Sequence, residues 1–233
     1  MSVSEQLLEI FKHGVSSVQP NNILDNFIKV KSKKIIVTEG SKQKIYSKIN
    51  RVFPVCIGKA SVDMAKKIKK IFKVSNFKIE KGILIVNKEN FSKVKGFKCF
   101  SSGHPIPNRN GLDASIFLEN YLGKLEKNDL VLIFISGGGS ALAPYPVDGI
   151  SLEEKIIINK ILLESGANIK EINIVRKHLS KLKGGNLVKI CNPAYVHSFI
   201  LSDVIGDDLS SIASGMTTYD NSTFRDVKKI LNK

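Results

Sequence analysis

The most constraining feature of this 233-residue chain is the segment at positions 129–142, which reads DLVLIFISGGGSAL. Its apolar run at 130–135 predicts a strand buried on both faces, as in parallel sheets covered by helices. The glycines that follow let the backbone turn sharply and approach a ligand. If a helix begins there, its N–H groups and dipole favour an anion, usually phosphate. The alternative is a glycine-rich turn without a ligand. The candidate phosphate-binding residues are Ser136, Gly137, Gly138, Gly139 and Ser140.

Strand-like and helix-like segments alternate along the rest of the chain. This order predicts an α/β fold with a mainly parallel, twisted sheet and helices on both faces. The length is compatible with a single α/β domain over residues 1–233. The lysine-rich residues 30–47 have little periodicity and predict a surface loop with a short strand. Strands are predicted at 51–57, 82–86, 97–101, 130–135 and 197–202, and helices at 61–72, 111–125, 151–164 and 168–182.

The charge balance raises the question of a nucleic-acid partner. The formal net charge is +15, yet only four basic residues are arginine and tryptophan is absent. Nucleic-acid sites favour arginine for bidentate and stacking contacts, so we predict no nucleic-acid partner and expect the field to attract small anions. No apolar run approaches the ~20 residues of a membrane helix, and we expect no membrane association. The three scattered cysteines fit neither a disulfide framework nor a zinc site, which indicates the cytoplasm.

Polar clusters follow three of the predicted strands, and parallel sheets bind ligands at the carboxyl ends of their strands. Lys59 follows the strand at 51–57 and could neutralise a transferring phosphoryl group, although a surface lysine at a helix start is the alternative. Asp203 and Asp207 follow the last strand, and carboxylates together with substrate phosphates are typical Mg²⁺ ligands. Turn chemistry is the alternative for the aspartates, including the adjacent Asp208. We therefore expect these clusters to face one crevice.

The predicted helix at 168–182 carries a second set of candidates. Asn168 and Glu171 fit a capping box. Asn173, Arg176, Ser180 and Lys183 recur at steps of three and four, which predicts a polar stripe that either holds a carboxylate or phosphate or is a solvated face. His104 lies between a glycine and prolines, where it is either a ligand contact or general base, or a turn histidine bonded to backbone.

Five segments, taken in order, resemble the ATP-dependent glycerate 2-kinases. The resemblance implies phosphoryl transfer from ATP with Mg²⁺ to D-glycerate on a Rossmann-like domain. It also implies that Lys59 is the catalytic lysine and that the 136–140 loop and Ser202-Asp203 line the cleft. Asn173, Arg176 and Lys183 would lie near the substrate. The segments are IGKASVDMAKK (57–67), GHPIPN (103–108), FISGGGSALAPYPVDGISLEEK (134–155), LLESGANIKEINIVRKHLSKLKGG (162–185) and ILSDVIGDDLSSIASG (200–215).

Members of that family continue into a second, MOFRL domain, which would begin near the last residue of this chain. Either the chain is a fragment, or a separately encoded MOFRL half is its partner, or the protein no longer catalyses. We expect weak or no kinase activity from the chain by itself. A non-catalytic nucleotide- or phospho-ligand-binding module is the alternative function. The surface where the second domain would dock also suggests a homodimer. His104 and Asp203 both stand as candidates for the general base.

Overall fold

The computed structural model describes residues 1–73 and 75–232, and no helix among them is long and apolar enough to cross a membrane. The helices are α1 (Val3–Ser17), α2 (Pro20–Phe27), α3 (Ser61–Phe72), α4 (Arg109–Leu122), α5 (Gly139–Leu142), α6 (Leu152–Glu164), α7 (Ile169–His178), α8 (Asn186–Ile190) and α9 (Phe224–Leu231). The strands are β1 (Ile28–Lys31), β2 (Lys34–Glu39), β3 (Lys42–Tyr46), β4 (Arg51–Ile57), β5 (Lys78–Ile79), β6 (Gly82–Asn87), β7 (Phe97–Ser102), β8 (Asp129–Ile135) and β9 (Tyr195–Ile200).

The main sheet has the strand order β7-β6-β4-β8-β9, with the short β5 paired to the start of β4. Every pairing in this sheet is parallel. The two central strands, β4 and β8, pair from Arg51 and Asp129 at one end to Ile57 and Ile135 at the other. The predicted α/β fold with a mainly parallel sheet is confirmed. Its carboxyl edge presents the segments that follow β4, β8 and β9 side by side.

Alternate side chains of β8 point to opposite faces of the sheet, as the period of two in a strand requires. Leu130, Leu132 and Phe134 belong to a core shared with α2, α3 and the small sheet β1–β3. Val131 and Ile133 belong to a second core shared with α4. Because both faces are covered, the strand is apolar at every inward position and fully buried. This explains the continuous apolar run in the sequence.

The prediction of a surface loop at residues 30–47 is wrong. Strands β1, β2 and β3 form an antiparallel sheet joined by two-residue turns, in which Ser32 and Gly40 have φ values of 45° and 58°. Ile35, Val37 and Tyr46 are buried and join the first core. The exposed lysines of these short strands hide the alternation, since only the inward positions are apolar.

The helix predicted at 168–182 ends earlier, at His178, although its capping box of Asn168 and Glu171 is confirmed. The chain leaves the helix because tertiary backbone contacts compete with further helical bonds: Ser180 forms an isolated bridge with Pro146. The N–H of Lys181 then donates to the carbonyl of Tyr145 at 2.9 Å. The predicted final strand at 197–202 is likewise displaced, since β9 spans Tyr195–Ile200.

Candidate active site

Three strand ends converge at the carboxyl edge of the main sheet. The backbone N–H of Lys59, after β4, donates to the carbonyl of Gly137, after β8, at 2.9 Å. The N–H of Leu201, after β9, donates to the carbonyl of Ile135 at 2.9 Å. The three polar clusters singled out in the sequence are therefore tied to one another by main-chain hydrogen bonds. Their side chains meet at a single place on the protein.

The glycines of the loop are required by close approach. A Cβ on Gly137 would overlap the carboxylate of Asp203. Gly138 has φ = 84°, a left-handed conformation that glycine adopts without strain. A Cβ on Gly138 would lie 2.9 Å from Cδ2 of His104 and 3.2 Å from Cε of Lys59. The loop is thus enclosed by an ammonium, an imidazole and a carboxylate.

Backbone donors of this loop are open to a ligand. Among the hydrogen bonds of the described residues, none uses the N–H groups of Gly137, Gly138 or Gly139. The serines on either side have protein partners instead: Ser136 Oγ accepts from the N–H of Ala60 at 3.0 Å, and Ser140 Oγ shares a hydrogen bond with Ser214 Oγ at 3.0 Å. The serines therefore brace the loop, while the glycine amides remain available.

A cleft of about 270 Å³ lies in front of the loop. Arg176 of α7 forms part of its wall, and its Nε donates to Oδ1 of Asn159 on α6 at 2.6 Å. Strand ends thus supply one wall of the cleft and helices α6 and α7 supply another. The residues that line it are His104, Pro105, Gly138, Ser140, Ala141, Asn159, Arg176, Asp203, Val204, Ser211, Ile212 and Ala213.

Burial and charge set the protonation of two groups in the cleft. The pKa of His104 is lowered, first by partial burial and then by the positive charge of Lys59. This imidazole is therefore neutral at neutral pH and can accept a hydrogen bond or a proton. The pKa of Arg176 is lowered by burial, although an arginine stays protonated.

Two predicted substrate contacts lie behind the loop. Nζ of Lys183 donates to the carbonyl of Ser140 at 2.8 Å, and the burial of this group lowers its pKa well below the ordinary value. Oδ1 of Asn173, also buried, accepts from Oγ of Ser214 at 3.1 Å. Because α7 ends before Lys183, the predicted stripe from Asn173 to Lys183 does not lie on one helix face. Both side chains support the loop from within, and neither is among the residues that line the cleft.

The acidic segment after β9 divides into two parts. Asp203 lines the cleft, whereas Asp207 and Asp208 are exposed in a turn outside it. Asp208 accepts from Oγ of Ser211 at 2.6 Å and from Ser210, which lowers its pKa. The described residues contain no group of three or more His, Cys, Asp or Glu placed to hold a metal ion. Magnesium bound largely through substrate phosphates needs only one or two carboxylates, which Asp203 fits.

Sequence reasoning did not find the left-handed residues at the back of the cleft. Ala213 and Ser214 have φ values of 49° and 55°, and neither is glycine. Ala213 packs against the loop: a Cβ added to Gly139 would lie only 3.0 Å from the Cβ of Ala213. Such strained residues cluster at functional sites. The sequence of this segment, SSIASG at 210–215, contains no pattern that predicts a left-handed conformation at its alanine and last serine. Asn159 was also missed, since its role depends on how α6 packs against α7.

A larger groove, of about 910 Å³, lies at the other end of the strands, by Gly96 and Phe97. Its floor is apolar, and its rim is formed largely by lysine side chains of α3 and of residues 81–95. Long lysine stems commonly cover apolar surface in this way while the ammonium stays in water. The polar groups that converge at the carboxyl edge have no counterpart among the residues that line this groove.

Comparison with known proteins agrees with this geometry. The family described as "Domain of unknown function (DUF4147)" matches residues 6–233. The chain belongs to this family. A glycerate 2-kinase of Pyrococcus horikoshii is 39% identical over 231 residues, which are 99% of this chain and 50% of that protein. A D-glycerate 2-kinase of Thermotoga maritima is 42% identical over 187 residues, 79% of this chain and 44% of that protein.

Two solved structures are also similar to this DUF4147 chain. The crystal structure of a Pyrococcus horikoshii protein superposes with a TM-score of 0.88 at 38% identity, over 100% of this chain and 51% of that one. A crystal structure of glycerate kinase from Thermotoga maritima gives 0.83 at 34% identity, over 98% and 51%. The resemblance to glycerate 2-kinases is confirmed. The chain spans about half the length of the curated relatives it matches.

Proposed function

We propose that this chain supplies the phosphate-handling cleft of an ATP-dependent glycerate kinase, which transfers a phosphoryl group from ATP to D-glycerate. The observation that carries the proposal is the meeting of Lys59, Asp203 and the unbonded amides of Gly137 to Gly139 at one edge of the sheet. Phosphoryl transfer depends on positioning and on stabilising charge, and these groups offer both. Relatives that cover the chain and are named glycerate 2-kinase support the same choice.

The nucleotide phosphates would be held by the loop. The amides of Gly137 to Gly139 donate to phosphate oxygens, and the ammonium of Lys59 neutralises charge as it develops on the transferring group. Asp203 would hold Mg²⁺, which would supply positive charge against the negative charge of the nucleotide phosphates. Asp207, outside the cleft in a turn, is a weaker candidate for the same ion.

The acceptor would be held on the opposite wall. The guanidinium of Arg176 faces the cleft and suits a carboxylate, because its planar fork matches two carboxylate oxygens. His104 and Asp203 are the candidates for the base that takes the proton of the acceptor hydroxyl. Asn173 and Lys183 contribute indirectly, since both hold the loop that carries Ser140.

We also propose a cellular location and protein partners for this activity. The protein works in the cytoplasm, and a MOFRL half, either in the same polypeptide or separately encoded, completes the cleft by excluding water from it. Homodimer formation by the chain is part of the proposal and is tested by measuring its molar mass in solution, with and without that half.

The function is tested by measuring ATP consumption with and without D-glycerate, for this chain alone and together with a second polypeptide that supplies the rest of the relatives' length. We expect glycerate-dependent consumption that requires Mg²⁺ and rises when both polypeptides are present. Nucleotide binding without any glycerate-dependent consumption in the combined sample would instead support a non-catalytic binding module.

The role of Asp203 in holding Mg²⁺ is tested by binding rather than by turnover. We expect Asp203→Asn to weaken the binding of Mg·ATP while leaving the binding of metal-free ATP nearly unchanged. Asp208→Asn is the matched control, because that side chain belongs to the same segment but bonds to Ser210 and Ser211. Equal affinities of both variants and the parent for Mg·ATP would contradict the assignment.

A further inference from the structure

Three basic side chains gather beneath the helical wall of the cleft. Lys155 of α6 and Lys183 after α7 are buried, and Arg176 of α7 lies between solvent and the interior. Each lysine is close enough to its basic neighbours for their charges to act on it: Arg176 acts on Lys155, and both act on Lys183. The three side chains, Lys155, Arg176 and Lys183, are called the cationic cluster below.

The acceptors that the cluster uses are all uncharged. Lys155 Nζ donates to the carbonyl of Leu179, just past the end of α7, at 2.7 Å. Arg176 donates to the amide of Asn159 and Lys183 to a carbonyl, as described above. None of the ion pairs found among the described residues includes a member of the cluster.

Two carboxylates close to the cluster in the sequence are engaged elsewhere, and Asp203, which lines the same cleft as Arg176, forms none of the ion pairs found among the described residues. Glu154, next to Lys155, accepts from Ser151 in the capping box that begins α6. Asp148 pairs with Lys181 rather than with a member of the cluster. The burial of several like charges without a counter-charge is costly, and the protein normally responds with a pair, a metal or loss of the proton. Loss of a proton is one response here, because burial lowers the pKa of Lys155 to about 8 and that of Lys183 well below its ordinary value. An anion from outside is the other response, and it would favour the protonated forms.

The cleft is the route by which such an anion reaches the cluster. Arg176 itself lines the cleft, and Lys183 contacts Ser140, another lining residue, from behind. Lys155 and Asn159 are four residues apart on α6 and therefore share a face. The first fixes the end of α7 and the second fixes the guanidinium of Arg176. The positive field and the orientation of Arg176 thus come from the same contact between α6 and α7.

We propose that the cleft contains an oxyanion subsite at Arg176, and that Lys155 is its positioning residue, holding α7 and supplying positive charge from beneath. Only the identity of the natural occupant, the carboxylate of D-glycerate, rests on the function proposed above. The subsite itself is an inference from burial, contacts and charge. Lys183 assists from the side of the loop.

The experiment measures the binding of three separate probes to the full chain by calorimetry: inorganic phosphate, D-glycerate and ATP. The variants are Lys155→Met, which removes donor and charge, and Lys155→Arg, which restores both. Lys160→Met on the exposed face of α6 is the matched control. We expect Lys155→Met to weaken phosphate and D-glycerate binding about tenfold, as loss of a partly screened unit charge implies. Lys155→Arg recovers most of that affinity, and ATP binding changes less than about twofold.

A purely structural role would give a different result. If Lys155 only caps α7, Lys155→Met lowers the melting temperature but leaves the affinity of the folded protein for phosphate and D-glycerate unchanged, which overturns the proposal. Failure of the parent chain to bind either anion also overturns it. Phosphate binding that depends on Lys155, without any D-glycerate binding, supports the subsite and contradicts glycerate as the acceptor in the proposed function.

If Lys155→Met does not fold, proton uptake on phosphate binding tests the proposal with the parent chain alone. Burial, followed by the charge of Arg176, lowers the pKa of Lys155 to about 8. An anion at Arg176 favours the protonated form of Lys155. Binding of phosphate to the parent chain at pH 8 should therefore be accompanied by proton uptake by the cluster, in excess of any change in the protonation of phosphate itself. Calorimetry in two buffers of different ionisation enthalpy measures this uptake. Binding with no such uptake contradicts the proposal.

Discussion

The two walls of the cleft differ in construction. One wall consists of strand ends, where Lys59, Gly138 and Asp203 follow three neighbouring parallel strands, and the ammonium and carboxylate remain exposed. The other wall consists of α6, α7 and the turn after α7, where Lys155 and Lys183 are buried. The first wall is fixed by sheet topology and by glycines that allow close approach. The second is fixed by helix packing, and its charges carry a desolvation cost.

This difference predicts which property of the protein, function or stability, a substitution in each wall should change. Charges on the strand wall are screened by water until a ligand arrives, so their removal should affect function much more than stability. Charges on the helical wall are already desolvated, so their removal should change stability and its dependence on pH as well. The predictions below test that contrast, beginning with the largest expected effect.

Replacement of Lys59 by Ala should reduce glycerate-dependent ATP consumption by about 10²-fold or more, because a charge aimed at the transferring group is lost. The melting temperature should change little, since the side chain is exposed. Lys66→Ala on the exposed face of α3 is the matched control and should leave turnover unchanged. Full activity of Lys59→Ala, assayed with the complementary polypeptide present, would rule out the proposed role of this ammonium.

Replacement of Gly138 by Ala should weaken ATP binding at least about tenfold, because the new methyl group meets His104 and Lys59 and displaces the loop. Gly149→Ala is a close control: its φ is 85° against 84° for Gly138, but a Cβ there meets no atom within 4 Å. Both variants should lose about 1 kcal/mol of stability from left-handed strain. Equal ATP affinity in the two variants would show that the loop does not contact the nucleotide.

The free energy of unfolding should rise with pH between about 8 and 10.5, the folded-state and ordinary pKa values of Lys155. The sign follows because the unfolded chain binds more protons than the folded one in this window, so alkali favours folding. Lys155→Met should flatten the rise, whereas Lys160→Met should not. Urea unfolding across this range measures the slope, and an identical slope in Lys155→Met would show that Lys155 is not desolvated as the structure indicates.

The smallest effect is expected at the back of the cleft. Ala213→Gly relieves left-handed strain at φ = 49° and should stabilise the protein by about 0.5 kcal/mol, part of the relief being offset by unfolded-state entropy. Ala141→Gly, in the short helix α5, is the matched control and should destabilise by about 0.5–1 kcal/mol. Opposite signs in thermal unfolding support the strain at Ala213, and destabilisation of both variants by the same amount contradicts it.

Much of the strand wall could be predicted from the sequence, because its signals are local. The apolar run of β8 required a strand covered on both sides, and the glycines after it required a close approach. Parallel topology then placed the segments after β4 and β9 beside the same loop. The resemblance to glycerate 2-kinases, carried by the same segments, added the chemistry that is proposed for them.

The helical wall could not be predicted in the same way. Spacing along one helix suggested that Asn173, Arg176 and Lys183 point in one direction, but the helix ends before Lys183 because Ser180 and Lys181 bond to residues 145–146. The burial of Ile35 in the small sheet was missed for a related reason, since exposed lysines outnumber the inward residues there. In both cases, contacts distant in sequence outweighed the local pattern.

The sequence by itself determined the α/β class, the strand ends that carry polar groups, and the helix caps, because each follows from periodicity or from bonds within a few residues. Only the tertiary structure decided which charges are buried together, as Lys155, Arg176 and Lys183 are, and where non-glycine residues such as Ala213 adopt a left-handed conformation. The physical reason is that desolvation and strain depend on every neighbour in space, and those neighbours are brought together only by the packing of the folded chain.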